Sequence, residues 1–341
     1  MASGDTSLQP PADGIAALAW SADSSRLLVA SWDSTIQLHT VTTPPSAPQI
    51  FSHPRPVLAV TFGSSPDIAY SGGLDKRIRE WDFKTGECRV IGKHDDAISA
   101  MAWIPEHNIL VTGSWDKSIK IWDPSAAEPL RSTSSLPERV YNLCYTPATG
   151  RILVSMAHRH VSVYAAYELS NASQEGRDAK ADHTRESALK MLTRSVACMA
   201  DGKGWASASI EGRIAVEYFD PDPAAQAMKY AFRAHRATVD GAEQVYPINA
   251  LAYHPIHNTF ASGGSDGVLS IWDHSAKKRM RLYPKYPTAI SALSFSPDGT
   301  RLAIGVSYEH DNAVASPEDQ ARVLLLLKET VMDDCKPKAR A

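Results

Sequence analysis

Five stretches of the 341-residue chain alternate apolar residues with polar or small ones. They are AALAWS (16–21), VLAVTF (57–62), ISAMAW (98–103), INALAY (248–253) and ISALSF (290–295). A period of two puts successive side chains on opposite faces of an extended chain, so each predicts a half-buried β-strand. A second pattern follows three of them: AYSGGLDKRIREWD (69–82), LVTGSWDKSIKIWD (110–123) and FASGGSDGVLSIWD (260–273). Each reads apolar, small, Gly, two variable positions and Asp, then an alternating strand that ends in Trp-Asp. The turn residues Asp75 and Asp116 lie 41 apart, and Asp33 lies 42 before Asp75. A recurrence of about 40–45 residues with four short strands per unit is the pattern of a propeller blade.

Weaker units fill the gaps: 140–164, 188–220 and 290–329. The expected fold is an all-β, seven-bladed propeller with four antiparallel strands per blade, its blades starting near residues 15, 57, 98, 140, 188, 248 and 290. A ring must close or leave open strand edges. The last unit is one strand short, and the segment near Ser7–Gln9 is expected to supply it. The domain reading is therefore an N-terminal segment (1–12) that includes the closing strand, a propeller over 13–329, and a flexible tail over 330–341. The polar stretch 170–187 is expected to be a mobile insert or outer-edge extension.

His53, Ser71 and Asp75 have the residue types of a hydrolase triad. The repeat argues against that role. His94, Thr112 and Asp116 recur one blade on with the same 18-residue step from His to hydroxyl, and His235, Ser262 and Asp266 recur again. Six residues after each Asp comes Trp81, Trp122 or Trp272. A nucleophile is needed once, whereas a buried Asp–His–Ser/Thr–Trp chain that pins each turn is needed in every blade. The twelve residues are expected to be structural, with no catalytic set. GGSDG (263–267) spells G-x-S-x-G only as one of the repeated blade turns and not as a nucleophile elbow, and no H-E-x-x-H or P-loop occurs. The pairs His158/His160 and His254/His257 have no further ligand nearby, so no metal and no cofactor are expected.

Composition narrows the partners. A formal net charge of −3 gives no basic excess for duplex DNA or a membrane surface. Cys88, Cys144, Cys198 and Cys335 are too far apart in sequence for a zinc pair or redox motif, and reduced thiols are expected. The N-terminus lacks the apolar core of a signal peptide, and no apolar run of about 18 residues suggests a membrane span.

The residue before each turn Asp faces one end of the ring, the top. That position holds Trp32, Leu74, Trp115, Ile210 (before Glu211) and Ser265. Either each tucks against its own blade, or together they form an apolar patch that binds another protein; Trp is a favoured anchor in such patches. Arg213 follows the blade-five turn, and Arg233 and Arg236 flank His235. With His257 these are either solvated surface charges or a converging group that holds phosphate or carboxylates.

The three Trp-Asp endings resemble WD40 repeats over nearly the whole chain. A narrower resemblance lies in SGGLDKRI (71–78), VTGSWDKSIKIWDP (111–124), SIEGRIAVEYFDP (209–221), YAFRAHR (230–236), YPINA (246–250), HNTFASGGSDG (257–267) and YPTAISALSFSPDGTRLAI (286–304). Over residues 13–328 the chain is similar to the mitotic checkpoint family called "budding uninhibited by benzimidazole three". The resemblance implies a non-enzymatic, monomeric adaptor of the spindle assembly checkpoint, in the nucleus, at kinetochores in mitosis and in the cytoplasm. Its implied partners are checkpoint kinases, bound through a glutamate-containing motif, and phosphorylated Met-Glu-Leu-Thr repeats of the kinetochore scaffold. Trp32, Trp115, Arg213 and Arg233 occupy the matching partner-binding positions; no direct nucleic-acid or membrane contact is implied.

One departure is AHRH (157–160) in blade four, which lacks both the turn Asp and the Trp. The nearest rival is the sister WD40 factor of the nuclear pore, which serves messenger RNA export and binds a similar motif. A generic WD40 scaffold, a ubiquitin-ligase receptor and a propeller enzyme are more distant readings.

Overall fold

The computed structural model describes residues 5–308, 322–329 and 331–338. Seven four-stranded antiparallel sheets form the blades of a propeller, and one extra two-stranded hairpin is added between blades five and six. The innermost strands are Ile15–Trp20, Val57–Phe62, Ile98–Ile104, Val140–Thr146, Thr193–Cys198, Ile248–Tyr253 and Ile290–Phe295. Six begin where the alternating pattern places them. Blade five begins at Thr193 and not near 188. The apolar alternation of ALKMLT imitates a strand, but Met191 and Leu192 are exposed and ride on a loop at the top.

Burial follows the period-two pattern on inner strands such as Ile98–Ile104, where buried and half-buried residues alternate, and again on the outer strand Leu130–Ser135. Second strands lie between neighbours on both faces, and Ile109–Ser114 is buried throughout. Core clusters span adjacent blades: Ile104, Val111 and Ile121 pack with Val140, Ile152 and Val154 across the junction of blades three and four. Each such aliphatic side chain contributes about 1.5–3 kcal/mol when buried.

The ring closes as the strand count requires. Asp5–Leu8 pairs antiparallel with Leu324–Lys328, so the first strand of the chain completes blade seven. Inside this seam Asp5 pairs with Lys328, both side chains almost wholly buried, and Tyr286 donates its hydroxyl to Asp5 at 3.0 Å.

Two further segments take definite form, the first of them as the outer-edge extension, one of its two expected forms. The stretch 170–187 is folded: it contains most of the helix Ala166–Glu175 and the whole strand His183–Glu186, which is the outermost strand of blade four. Few apolar residues are needed because Ala166, Leu169 and Ala172 anchor the helix to the core, with Ala179 and Ala181 packed against the same cluster. The expected flexible tail holds the short helix Val331–Cys335. Val331 and Cys335 are buried, and Thr259 donates its hydroxyl to the Cys335 carbonyl at 2.8 Å.

The polar chain is complete in blades three and six. In blade three the Trp122 indole N–H donates to Thr112 Oγ1 at 2.8 Å, Thr112 Oγ1 lies 2.7 Å from His94 Nε2, and His94 Nδ1 lies 2.8 Å from Asp116. Trp272, Ser262, His235 and Asp266 repeat it at 2.8, 2.8 and 2.9 Å. Burial alone would raise the Asp116 carboxyl, but hydrogen bonds from His94 and Ser118 outweigh it and hold it well below the usual carboxylate range. Blade two differs. Trp81 and His53 still meet Ser71, but the Arg79 guanidinium stands between His53 and Asp75. Arg79 faces His53 Nδ1 at 3.4 Å, so that nitrogen accepts and Nε2–H donates to Ser71. Blade one has Val29 at the hydroxyl position, and Asp33 instead accepts from Thr35 and the Ala12 N–H.

Candidate functional site

The pairing of the two inner strands skips one residue in every blade, always the second residue of the blade's first strand. The seven skipped residues are Ala16, Leu58 and Ser99, then Tyr141, Arg194, Asn249 and Ser291. A bulge leaves its extra residue unpaired and re-aims its side chain. Repeated seven times, it rings the top mouth of the central channel, and all seven residues line a cavity of about 980 Å³. Arg194 is the one charged residue in the ring, and it is exposed. Among the described residues Asp13 is the only acid on the wall, and its carboxylate already accepts from Tyr308 and the Gly14 N–H.

Trp32 and Trp115 line the same mouth. Each is anchored at the backbone, Trp32 N–H to the Gly14 carbonyl at 2.9 Å and Trp115 N–H to the Ala97 carbonyl at 3.0 Å. Leu74, Ile210 and Ser265 make the same bond to Pro56, Leu192 and Pro247, so all five positions are equivalent. Only the two tryptophans reach the cavity. Both are half-buried, so they form wall and do not project from the surface. The Trp115 indole N–H is buried and meets no acceptor among the described residues. Leu74 is half-buried outside the cavity and Ile210 is exposed beside it.

The expected basic cluster separates into three parts. Arg213 and Arg233 stand opposite each other in the pairing of Arg213–Tyr218 with Tyr230–Arg233. Arg236 is committed elsewhere. It bonds Glu243 at 2.8 Å and the Glu211 carbonyl at 3.1 Å, fixing the extra hairpin of Arg236–Val239 and Ala242–Val245. His257 lies in the loop joining Tyr253 to Phe260, at the opposite end of blade six from the Asp266 turn. It stacks on His254 with ring centroids 4.7 Å apart. It therefore cannot share an anion with Arg213, because a strand of five or six residues is roughly 17–20 Å long.

Sequence reasoning missed Arg194, Tyr141 and Asn249. Their signal is positional: each is the second residue of an inner strand, and only the sevenfold bulge reveals that this position faces the mouth.

Comparisons with known proteins agree with this architecture. The WD domain, G-beta repeat family (WD40) matches residues 6–40, 47–82, 86–123 and 232–273. The chain is 42% identical to "Mitotic checkpoint protein BUB3.1" of Arabidopsis thaliana, over 97% of this chain and 94% of that protein. It is 34% identical to "Mitotic checkpoint protein bub3" of Dictyostelium discoideum over 96% of each. It is 33% identical to "Poly(A)+ RNA export protein" of Schizosaccharomyces pombe, over 97% of this chain and 92% of that one. With relatives this similar over nearly its whole length, the chain belongs to the BUB3 family of mitotic checkpoint WD40 proteins.

Proposed function

We propose that this propeller is a non-catalytic adaptor of the spindle assembly checkpoint whose top face takes a glutamate-containing peptide motif of checkpoint kinases. The observation that carries this is the single cation, Arg194, in a ring of seven bulge residues beside two half-buried tryptophans. A glutamate entering the mouth gains a charge-assisted bond from Arg194, and the Trp115 N–H gains the acceptor it lacks. Aromatic wall with one or two placed polar groups is the usual make-up of a peptide anchor site.

The same proposal gives Arg213 and Arg233 a second ligand group, the phosphothreonine of Met-Glu-Leu-Thr repeats in the kinetochore scaffold. Like charges directly opposite in a sheet are destabilising. A dianionic phosphate between them removes that cost and supplies bonds to both guanidinium groups. Binding both ligands would bring the kinases to unattached kinetochores, with the protein in the nucleus and cytoplasm otherwise.

A second reading, service in messenger RNA export, is favoured by the likeness to the fission-yeast export protein. Capture of partners from mitotic extract on the tagged full chain separates the two. Recovery of checkpoint kinase, lost with Trp115→Ala, supports the first; recovery of nuclear-pore protein without kinase contradicts it.

A further inference from the structure

The outer edge of blade six is the strand Lys278–Leu282, and its far side pairs with nothing among the described residues. Around it the sequence reads KKRMRLYPK (277–285), with no acidic residue between Asp273 and Asp298. Lys277, Lys278, Arg279, Arg281 and Lys285 are all exposed. One ion pair is formed among them within the described residues, Arg281 Nε to Asp334 at 3.4 Å. In a chain of formal net charge −3 this is a strong local excess of positive charge.

The cations are held in place and are divided between two faces. Lys277 lies 4.8 Å over the Tyr230 ring and Arg279 lies 5.9 Å over Trp272, both on the blade-five side. Arg281 lies 6.0 Å over Tyr283, on the side of the C-terminal helix. The division comes from a bulge. Arg279 pairs with Trp272 and Arg281 with Ile271, so Met280 is skipped and turns into the core beside that helix.

We propose that this edge accepts an extended acidic peptide of a partner protein as a fifth strand of blade six. A peptide added to a sheet edge is bound by main-chain hydrogen bonds, with its side chains alternating to both faces. Carboxylates on both faces then meet cations on both faces. A single-stranded nucleic acid needs exposed rings on which bases stack. Here Trp272 and Tyr283 are buried beneath the cations and offer no open face. The edge of blade three shows the contrast. Ser134 Oγ accepts from the Ala179 N–H at 2.7 Å and Ser132 donates to the Arg177 carbonyl at 2.5 Å, so the chain itself covers that edge.

Fluorescence anisotropy with the full chain tests the proposal. The probe is a labelled Glu-Thr peptide of about ten residues repeating Glu-Glu-Thr-Thr, which presents carboxylates on both faces of a strand. Its partner probes are the same peptide N-methylated at alternate residues and a labelled oligothymidine. The expected result is saturable binding of the Glu-Thr peptide, weakened by salt and by at least about tenfold on N-methylation or in Lys278→Glu/Arg279→Glu. Arg279→Gln should give a smaller loss with an unchanged thermal midpoint. Equal binding of the N-methylated peptide, preference for oligothymidine, or no binding of the Glu-Thr peptide overturns it. Aggregation of the charge-reversed chain with no peptide binding by wild type would also overturn it, since the lysines would then only guard the edge.

Discussion

Arg213 and Arg233 face each other across paired strands on blade five, and neither forms an ion pair with any described residue. Such a pair costs the fold roughly 0.2–1 kcal/mol. Reversing or neutralising one charge should therefore leave stability unchanged or raise it slightly. The same change should reduce the preference for a phosphothreonine peptide over its plain form. Calorimetry with both peptides, beside urea melts of the single variants Arg213→Glu and Arg233→Gln, reads both effects. An intact phosphate preference removes the pair from the site.

Blades two and three make opposite use of one motif. In blade three Asp116 accepts from neutral His94, whereas in blade two Asp75 is the counter-ion of buried Arg79. Asp116→Ala should cost about 1–3 kcal/mol, the usual loss for a broken buried polar contact. Asp75→Ala should cost more, about 3–5 kcal/mol, because it strands a buried guanidinium. Urea denaturation of the two variants checks the order, and a reversed order contradicts the assignment.

The closing seam gives a third prediction. Asp5→Asn leaves Lys328 buried without its counter-charge. The expected loss is about 3–5 kcal/mol, and the double change Asp5→Leu/Lys328→Met should recover most of it. The measurement is the urea midpoint of the three chains. A single variant as stable as wild type would show that the seam does not depend on this pair.

Acid should weaken the fold before the carboxylates titrate. Burial pushes His39 down to about 4; burial, assisted by Arg79, does the same to His53, and burial with the neighbouring His257 to His254. Unfolded histidine titrates near 6.5, so between about 6.5 and 4 the unfolded chain binds more protons than the folded one. Stability is therefore full above about 6.5 and falls as pH drops toward 4. Asp116, held low when folded, adds a loss only below about 4. The urea midpoint should decline across pH 6.5–4, less steeply in His254→Gln; a flat profile contradicts the neutral buried histidines.

Much of this was legible in the residues because propeller blades repeat. The period of Asp33, Asp75 and Asp116 located the turns, and the strand count called for the partner that Asp5–Leu8 supplies. What stayed hidden depends on contacts between blades. Nothing local in Arg194 separates it from a surface cation; its place in the mouth comes from a bulge shared by seven strands. His257 reads as a neighbour of Asp266 along the chain, yet one strand length puts it at the other end of the blade. Leu169, Ala172, Ala179 and Ala181 are too few to predict that the polar stretch after Ala166 would fold.

The most direct test of the top-face site is calorimetry of the full chain with a peptide carrying the glutamate motif. Wild type should bind, and Trp115→Ala and Arg194→Ala should each lose about 2 kcal/mol or more, close to 30-fold in affinity, with unchanged thermal midpoints. Affinity unchanged in both variants would contradict the account.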